Sequence, residues 1–214
     1  FAFDPFFTTN MTLREYKISQ LSISSDKVVS VEQLPGKVQI LKNAYINKLC
    51  RILNMAKHRC GDYLYWLETK DEWQADFFTI ESENLYVDGY FQSEDYFKKY
   101  RAELLDQFRP NYEPEEEYLK VLDEIKKCTA VAVHVRRTDF KKDNCKFHYL
   151  LDEDYYKKAI IEMKNRVENP VFFWFSDDMK WVKEHIGEED DFRYVNIKTT
   201  HGDIDDMMLM KNCS

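Results

Sequence analysis

The sequence predicts an α/β protein whose second half is a doubly wound parallel sheet. Apolar β-branched runs alternate with helical stripes from about residue 130 onward, and those runs are apolar at consecutive positions, as in strands covered on both faces. Only five glycines and five prolines interrupt 214 residues, so the elements follow one another closely, and 44% hydrophobic residues supply a core.

Taken in order, Leu41, Tyr45, Leu49, Ile52, Leu53 and Ala56 follow three-and-four spacing after Pro35 and Gly36, which predicts a helix with that face buried. Tyr63 to Trp66 reads as a short strand. Ser93 is an expected N-cap before Glu94 and Asp95, and Phe97, Tyr100, Leu104 and Phe108 form one helical face that ends before Pro110. Pro114 stands where a helix tolerates proline, and Tyr118, Val121, Leu122 and Ile125 continue a second stripe. Ala130 to Val135 is the first strand of the alternating region. Tyr156, Ala159, Ile160, Met163 and Val167 mark the next helix, and Val171 to Phe175 the second strand. Asp177 is an expected cap for a helix carrying Met179, Val182 and Ile186, which Gly187 stops. Tyr194 to Ile197 is the expected third strand, and Asp203 to Cys213 a final helix with Ile204, Met207 and Met208 on one side. A ligand of such a fold lies at the carboxyl ends of the strands.

The formal net charge of −8 argues against a broad basic surface, so nucleic acid is not an expected partner. No run reaches the ~20 apolar residues a bilayer span needs, and Phe1 to Phe7 lack a basic leader, so neither a span nor a signal peptide is expected. The five cysteines, Cys50, Cys60, Cys128, Cys145 and Cys213, are odd in number and scattered, which fits free thiols in a reducing compartment. His58 near Cys60 is the nearest approach to zinc spacing, and no metal is expected. The chain starts at Phe1 and stops at Ser214 directly after an apolar helical pattern, so both boundaries read as cuts.

The sharpest feature is His134-Val-Arg136-Arg137-Thr-Asp139-Phe140, where an apolar strand runs out into a polar loop. A buried guanidinium without an anion is costly, whereas a phosphate accepts its planar fork in two hydrogen bonds. A diphosphate suits the pair; a structural ion pair with Asp139 suits these residues equally well. No glycine-rich phosphate loop is present, which leaves arginine side chains to offset the charge of a leaving diphosphate.

These residues resemble the H-x-R-R-G-D-Y signature of the α-1,2-fucosyltransferases, and several segments agree in order. Asp88-Gly-Tyr-Phe-Gln-Ser-Glu-Asp-Tyr-Phe97 is similar to the family's L-D-G-Y-F-Q-S-x-x-Y-F, and Phe147-His148 through Ile160 to its F-H-x-x-x-x-x-Y-Y-x-x-A-I. Phe175-Ser-Asp-Asp178 with Trp181-Val182 resembles F-S-D-D-x-x-W-V, and Asp206-Met-Met-Leu-Met210 through Cys213 resembles D-M-x-L-M-S-x-C. Arg14-Glu-Tyr-Lys-Ile18 is similar to an early R-x-Y-x-L stretch.

The resemblance implies a GT-B-like pair of Rossmann-type domains, both truncated here: an acceptor-side domain over residues 1–126 and a donor-binding domain over 127–214. It implies inverting transfer of L-fucose from GDP-β-L-fucose to the 2-hydroxyl of a terminal galactoside, without a metal. The expected setting is the cytoplasm, with room for peripheral association at the inner face of a bacterial membrane. By the same resemblance Arg136 grips the β-phosphate, His134 lies beside the nucleoside, Arg137 braces the loop, Asp139 fixes it, and Asp206 meets the guanine or ribose. Asp178 joins this donor-side set, whereas a helix cap accounts for Asp177. The acceptor proton is left to Asp143 or His148 in the loop from Lys141 to His148. Thr138 replaces the signature's glycine, Lys211 a serine, and the family's opening G-G-L-G-N-Q-M-F-Q and closing N-S-x-F-S-W-W segments are absent.

Two other readings stand beside this one. Asp203-Ile-Asp205 matches the D-x-D with which GT-A transferases hold a divalent metal and a sugar nucleotide. A noncatalytic sugar-nucleotide or glycan-binding module would keep the same fold. On the acceptor side, Trp66, Trp73, Tyr90 and Tyr100 offer sugar-stacking surface, with core packing the competing use.

Overall fold

The computed structural model describes residues 2–3, 17–23, 27–28, 33–41, 43–70, 72–138 and 150–213. These fall into two compact units, one running to Arg109 and the other from Pro110 onward. Both are mixed α/β, and among the described residues no helix is long and apolar enough to cross a membrane.

In the first unit β1 (Ala2–Phe3) pairs in parallel with β2 (Lys27–Val28). Helices α1 (Gly36–Leu41) and α2 (Ala44–Ile52) precede a sheet of β3 (Lys57–Cys60), β4 (Tyr63–Leu67) and β5 (Asn84–Asp88), in that order. Gly61, at φ +65°, turns β3 back on β4, and β5 runs parallel to β4. Central β4 is buried on both faces. Tyr65 and Leu67 pack with Cys50 and Ile46 of α2, while Trp66 meets the rings of Phe77, Phe91 and Tyr96.

The expected burial on α2 is corrected here. Asn43 caps a fresh helix by accepting from the Tyr45 N–H at 3.0 Å, and that helix turns Ile46 and Cys50 inward. Tyr45, Leu49, Ile52 and Leu53 are therefore exposed, because only the Ile46 side of the helix meets the sheet. The helix expected after Ser93 is also broken up. Ser93 does cap a turn of 3-10 helix (Glu94–Tyr96), but Phe97 at φ −131° interrupts the α geometry before a further turn (Lys98–Tyr100) and α3 (Arg101–Gln107).

After β5 the chain makes a tight approach. Buried Glu68 accepts from the N–H groups of Tyr90 and Phe91 at 2.7 and 3.0 Å, and a Cβ on Gly89 would lie 2.5 Å from the Glu68 Cβ. The D-G-Y-F segment thus requires its glycine. Phe91 takes φ +49° and packs on Trp66, while Tyr90 stays exposed. Of the four candidate stacking residues, Trp66 is core, and Tyr90 and Tyr100 present their rings to solvent.

The second unit follows the predicted alternation: α4 (Glu116–Ile125), β6 (Thr129–Val135), α5 (Glu153–Arg166), β7 (Pro170–Ser176), α6 (Met179–Ile186), β8 (Phe192–Tyr194) and α7 (Gly202–Lys211). The strands are parallel in the order β6, β7, β8. Side chains alternate between the faces. Val131, Val135, Phe172 and Trp174 pack under Tyr156, Ile160 and Val182 of α5 and α6, whereas Ala130, Phe173 and Phe175 pack under Ile125 and Leu209 of α4 and α7. The third strand lies earlier than expected: the Val195 N–H still donates to Trp174 O at 2.9 Å, after which the apolar run leaves the ladder and Ile197 packs against α7's side of the sheet.

Candidate functional site

Three chain segments emerge at the carboxyl edge of the second unit's sheet. They are the loop after β6, the turn from β7 into α6, and the approach to the N-terminus of α7. Ligands of open α/β sheets bind at this edge.

His134 ends the alternation on the face of Ala130 and Ala132, the face that α7 covers, and it is exposed. Arg136 follows directly off the strand and is partly buried. The loop that carries it is held by side chains from the neighbouring strand end. The Asp177 carboxylate accepts from the N–H of Arg137 (2.8 Å), the N–H of Thr138 (3.0 Å) and the Thr138 hydroxyl (2.6 Å). Ser176 donates its hydroxyl to Val135 O at 2.8 Å and accepts from the Asp178 N–H at 2.9 Å. Asp178, not Asp177, caps α6, accepting from the Trp181 N–H at 3.2 Å. This corrects the expected cap: with Asp178 at the cap, Asp177 sits one residue earlier, where it reaches across to the β6 loop.

Arg137 turns away from the strand axis. Its guanidinium lies 3.6 Å above the Trp181 ring and donates to Leu151 O at 3.0 Å, while Trp181 stacks in turn on His185. Its Nε is buried and finds no acceptor among the described residues. The hydroxyl of Thr138, where the resembling signature has glycine, is one of the three donors that Asp177 collects.

At the N-terminus of α7, Asp205 is buried, with its two oxygens accepting from the Tyr112 hydroxyl (2.8 Å) and the Thr199 hydroxyl (2.5 Å). Tyr112 stacks on His201 with 3.8 Å between centroids, and burial together with Asp205 raises its hydroxyl pKa. Glu115 and Glu117 accept from the N–H groups of Thr200 and Lys198 at 2.8 and 2.7 Å, which fastens the loop before α7 to the start of α4. Both carboxylate oxygens of Asp205 are thus occupied within the fold. The second position of the D-x-D tripeptide is structural, and among the described residues no three His, Cys, Asp or Glu side chains converge as a ligand set.

Asp206 is half-buried beside Asp203 and Asp205, and desolvation followed by those two charges pushes its carboxyl up to about 6. The folded chain therefore holds this proton more tightly than the unfolded chain. That contribution to stability is present below an ordinary carboxyl pKa of 3.8 and is lost as pH rises through about 6. Wild type should consequently lose more thermal stability than Asp206→Asn between pH 4 and pH 7, read as the difference between their melting temperatures; equal slopes would refute the assignment.

Asp139, Asp143 and His148 lie outside the described residues. The sequence assigns Asp177 to a helix cap and Asp205 to a metal motif and gives Tyr112 no role, whereas in the structure all three shape this edge of the sheet. The available signal was Asp177 inside F-S-D-D-x-x-W, whose tryptophan turns out to be the shelf under Arg137.

The model of glycosyl transferase family 11 matches residues 36–214. An α-1,2-colitosyltransferase of Escherichia coli is 35% identical over 134 residues, 58% of this chain and 43% of that protein. The O-antigen biosynthesis glycosyltransferase WbnK, also of Escherichia coli, is 33% identical over 98 residues, 45% of this chain and 32% of that protein. The matched regions cover less than half the length of either relative. No solved structure gives a significant match.

Proposed function

The chain belongs to glycosyl transferase family 11, and on that premise we propose that it is the donor-binding and partial acceptor portion of an inverting, metal-independent α-1,2-fucosyltransferase with a GT-B-like arrangement. The observation that carries the reading is the Arg136 loop, fixed at the sheet's carboxyl edge by Asp177 from one side and by the Arg137–Trp181 stack from the other. Tethers at residues 137 and 138 hold the guanidinium just before them to one place, which stabilising a leaving diphosphate demands.

In this reading the galactoside 2-hydroxyl oxygen attacks C1 of fucose opposite the nucleotide, and the bond from C1 to the β-phosphate oxygen breaks. GDP departs with the electron pair while Arg136 offsets its growing charge. The hydroxyl proton passes to Asp143 or His148, or to the leaving phosphate itself. His134 and Asp206 hold the nucleoside. Asp206 does so as a carboxylate, whose oxygens suit the N–H donors of guanine.

One observation favours a second donor: the relative that transfers colitose. Colitose is fucose without its 3-hydroxyl, so both donors place the same leaving group on the same loop. The test is transfer to lactose by the full-length protein, offered GDP-fucose and GDP-colitose separately, with and without a chelator. Chelator-resistant transfer from GDP-fucose is expected. Colitose-only transfer would move the donor assignment, loss under chelation would favour the D-x-D reading, and donor binding without transfer would favour a noncatalytic module.

A further inference from the structure

The apolar stripe on α2 is regular enough to read as core from the sequence, yet it faces solvent. Tyr45 is 85% exposed, Leu49 55%, Ile52 71% and Leu53 56%, with Met55 just beyond the helix at 47%. Positions 45, 49 and 52 lie along one helical face, about a third of a turn around from the Ile46 and Cys50 side that packs on the sheet.

The surrounding sequence is as unusual in charge. The chain has 39 acidic residues in 214, but none lies between Glu32 and Asp62. That stretch carries Lys37, Lys42, Lys48, Arg51, Lys57 and Arg59. Lys48 is on α2 beside the stripe and exposed. Arg51 donates to the main-chain oxygen of Glu68, a neutral acceptor, and Lys57 pairs with Asp76 at 3.5 Å. A chain of net charge −8 thus has one acid-free stretch of sequence that carries both cations and exposed apolar side chains.

We propose that α2 is a docking surface for an anionic lipid bilayer, lying in the interface with Tyr45, Leu49, Ile52 and Leu53 entering the acyl boundary and Lys48 and Arg51 at headgroup level. An amphipathic helix with a strongly apolar face and flanking cations binds bilayers through buried apolar area plus attraction to anionic headgroups. The charge pattern selects this occupant. Lys48, exposed beside the stripe on a helix that has no acidic residue, complements anionic headgroups, whereas a neutral apolar protein groove would offer it no counter-charge.

This inference does not depend on the donor assignment, because its test contains no sugar nucleotide. Vesicle flotation of the full-length protein should show binding to vesicles of mixed phosphatidylglycerol and phosphatidylcholine, little to phosphatidylcholine alone, and at least about tenfold weaker binding when salt rises from 0.1 to 0.5 M. Leu49→Glu/Ile52→Glu should lose vesicle binding while keeping the wild-type melting temperature and the wild-type rate on a soluble acceptor. Lys48→Glu should bind more weakly and with less salt dependence. Sedimentation velocity without vesicles should show one species for wild type and the double variant alike. Equal flotation of the double variant, salt-insensitive binding, no flotation of wild type, or a wild-type dimer that the double variant dissociates would each overturn the proposal.

Discussion

Arg136→Ala is expected to lower transfer from GDP-fucose by about a hundred- to a thousand-fold, the range seen when one charge-stabilising donor is removed from a developing anion. The size follows from where the residue stands. It is the first residue beyond a strand, and the Arg137 N–H directly after it is held by Asp177, so the guanidinium starts from a fixed point of the backbone. Arg136→Lys separates charge from geometry. Lysine keeps the positive charge but loses the planar fork that meets two phosphate oxygens at once, so transfer should fall nearly as far. Donor affinity should weaken in both variants, because the ground-state diphosphate already carries the charge that the transition state increases. Steady-state rates and calorimetric binding of GDP measure the two effects separately. Wild-type donor affinity in Arg136→Ala would reject the whole assignment of the loop.

The strength of that prediction reflects how legible the second unit was. Its strands are apolar at consecutive positions because helices cover both faces, and such runs stand out against the polar loops between them, so β6 and β7 appear within a residue or two of where the sequence placed them. Burial was harder to read. Periodicity reveals that Tyr45, Leu49 and Ile52 share a face of α2, but which face meets the sheet is decided by Ile46, Cys50 and the strands they pack on, and those are tertiary facts. The same holds for polar groups. Nothing local distinguishes Asp177 from Asp178 as a cap, since both are aspartates at the start of one helix; the choice is made by the β6 loop, 40 residues away in the chain, which supplies Asp177 with three donors. Asp205 looked like half of a metal motif because Tyr112 and Thr199, which satisfy it, are distant in sequence or unremarkable.

Asp177→Asn carries the second large effect, and it tests how the arginine is positioned. An aspartate here accepts from two backbone N–H groups and a hydroxyl, all three reaching one charged group, and such charge-assisted bonds are worth roughly twice neutral ones. Asparagine keeps one acceptor and turns an NH2 toward N–H donors, so at least one bond becomes a repulsion and the loop loses its tether. We expect transfer to fall by roughly ten- to a hundred-fold, as a small misplacement of the reacting geometry does, while the sheet beneath stays folded and the melting temperature drops only modestly. A positioning role makes a further demand. If Asp177 acts through Arg136, its removal should cost little once the arginine is gone, so Arg136→Ala/Asp177→Asn should be nearly as active as Arg136→Ala alone. Asp177→Glu, which restores the charge at a greater reach, should recover part of the rate in the single variant and none in the Arg136→Ala background. Rate losses that multiply in the double variant would mean that Asp177 contributes independently of the arginine and that the loop is held in place by other contacts.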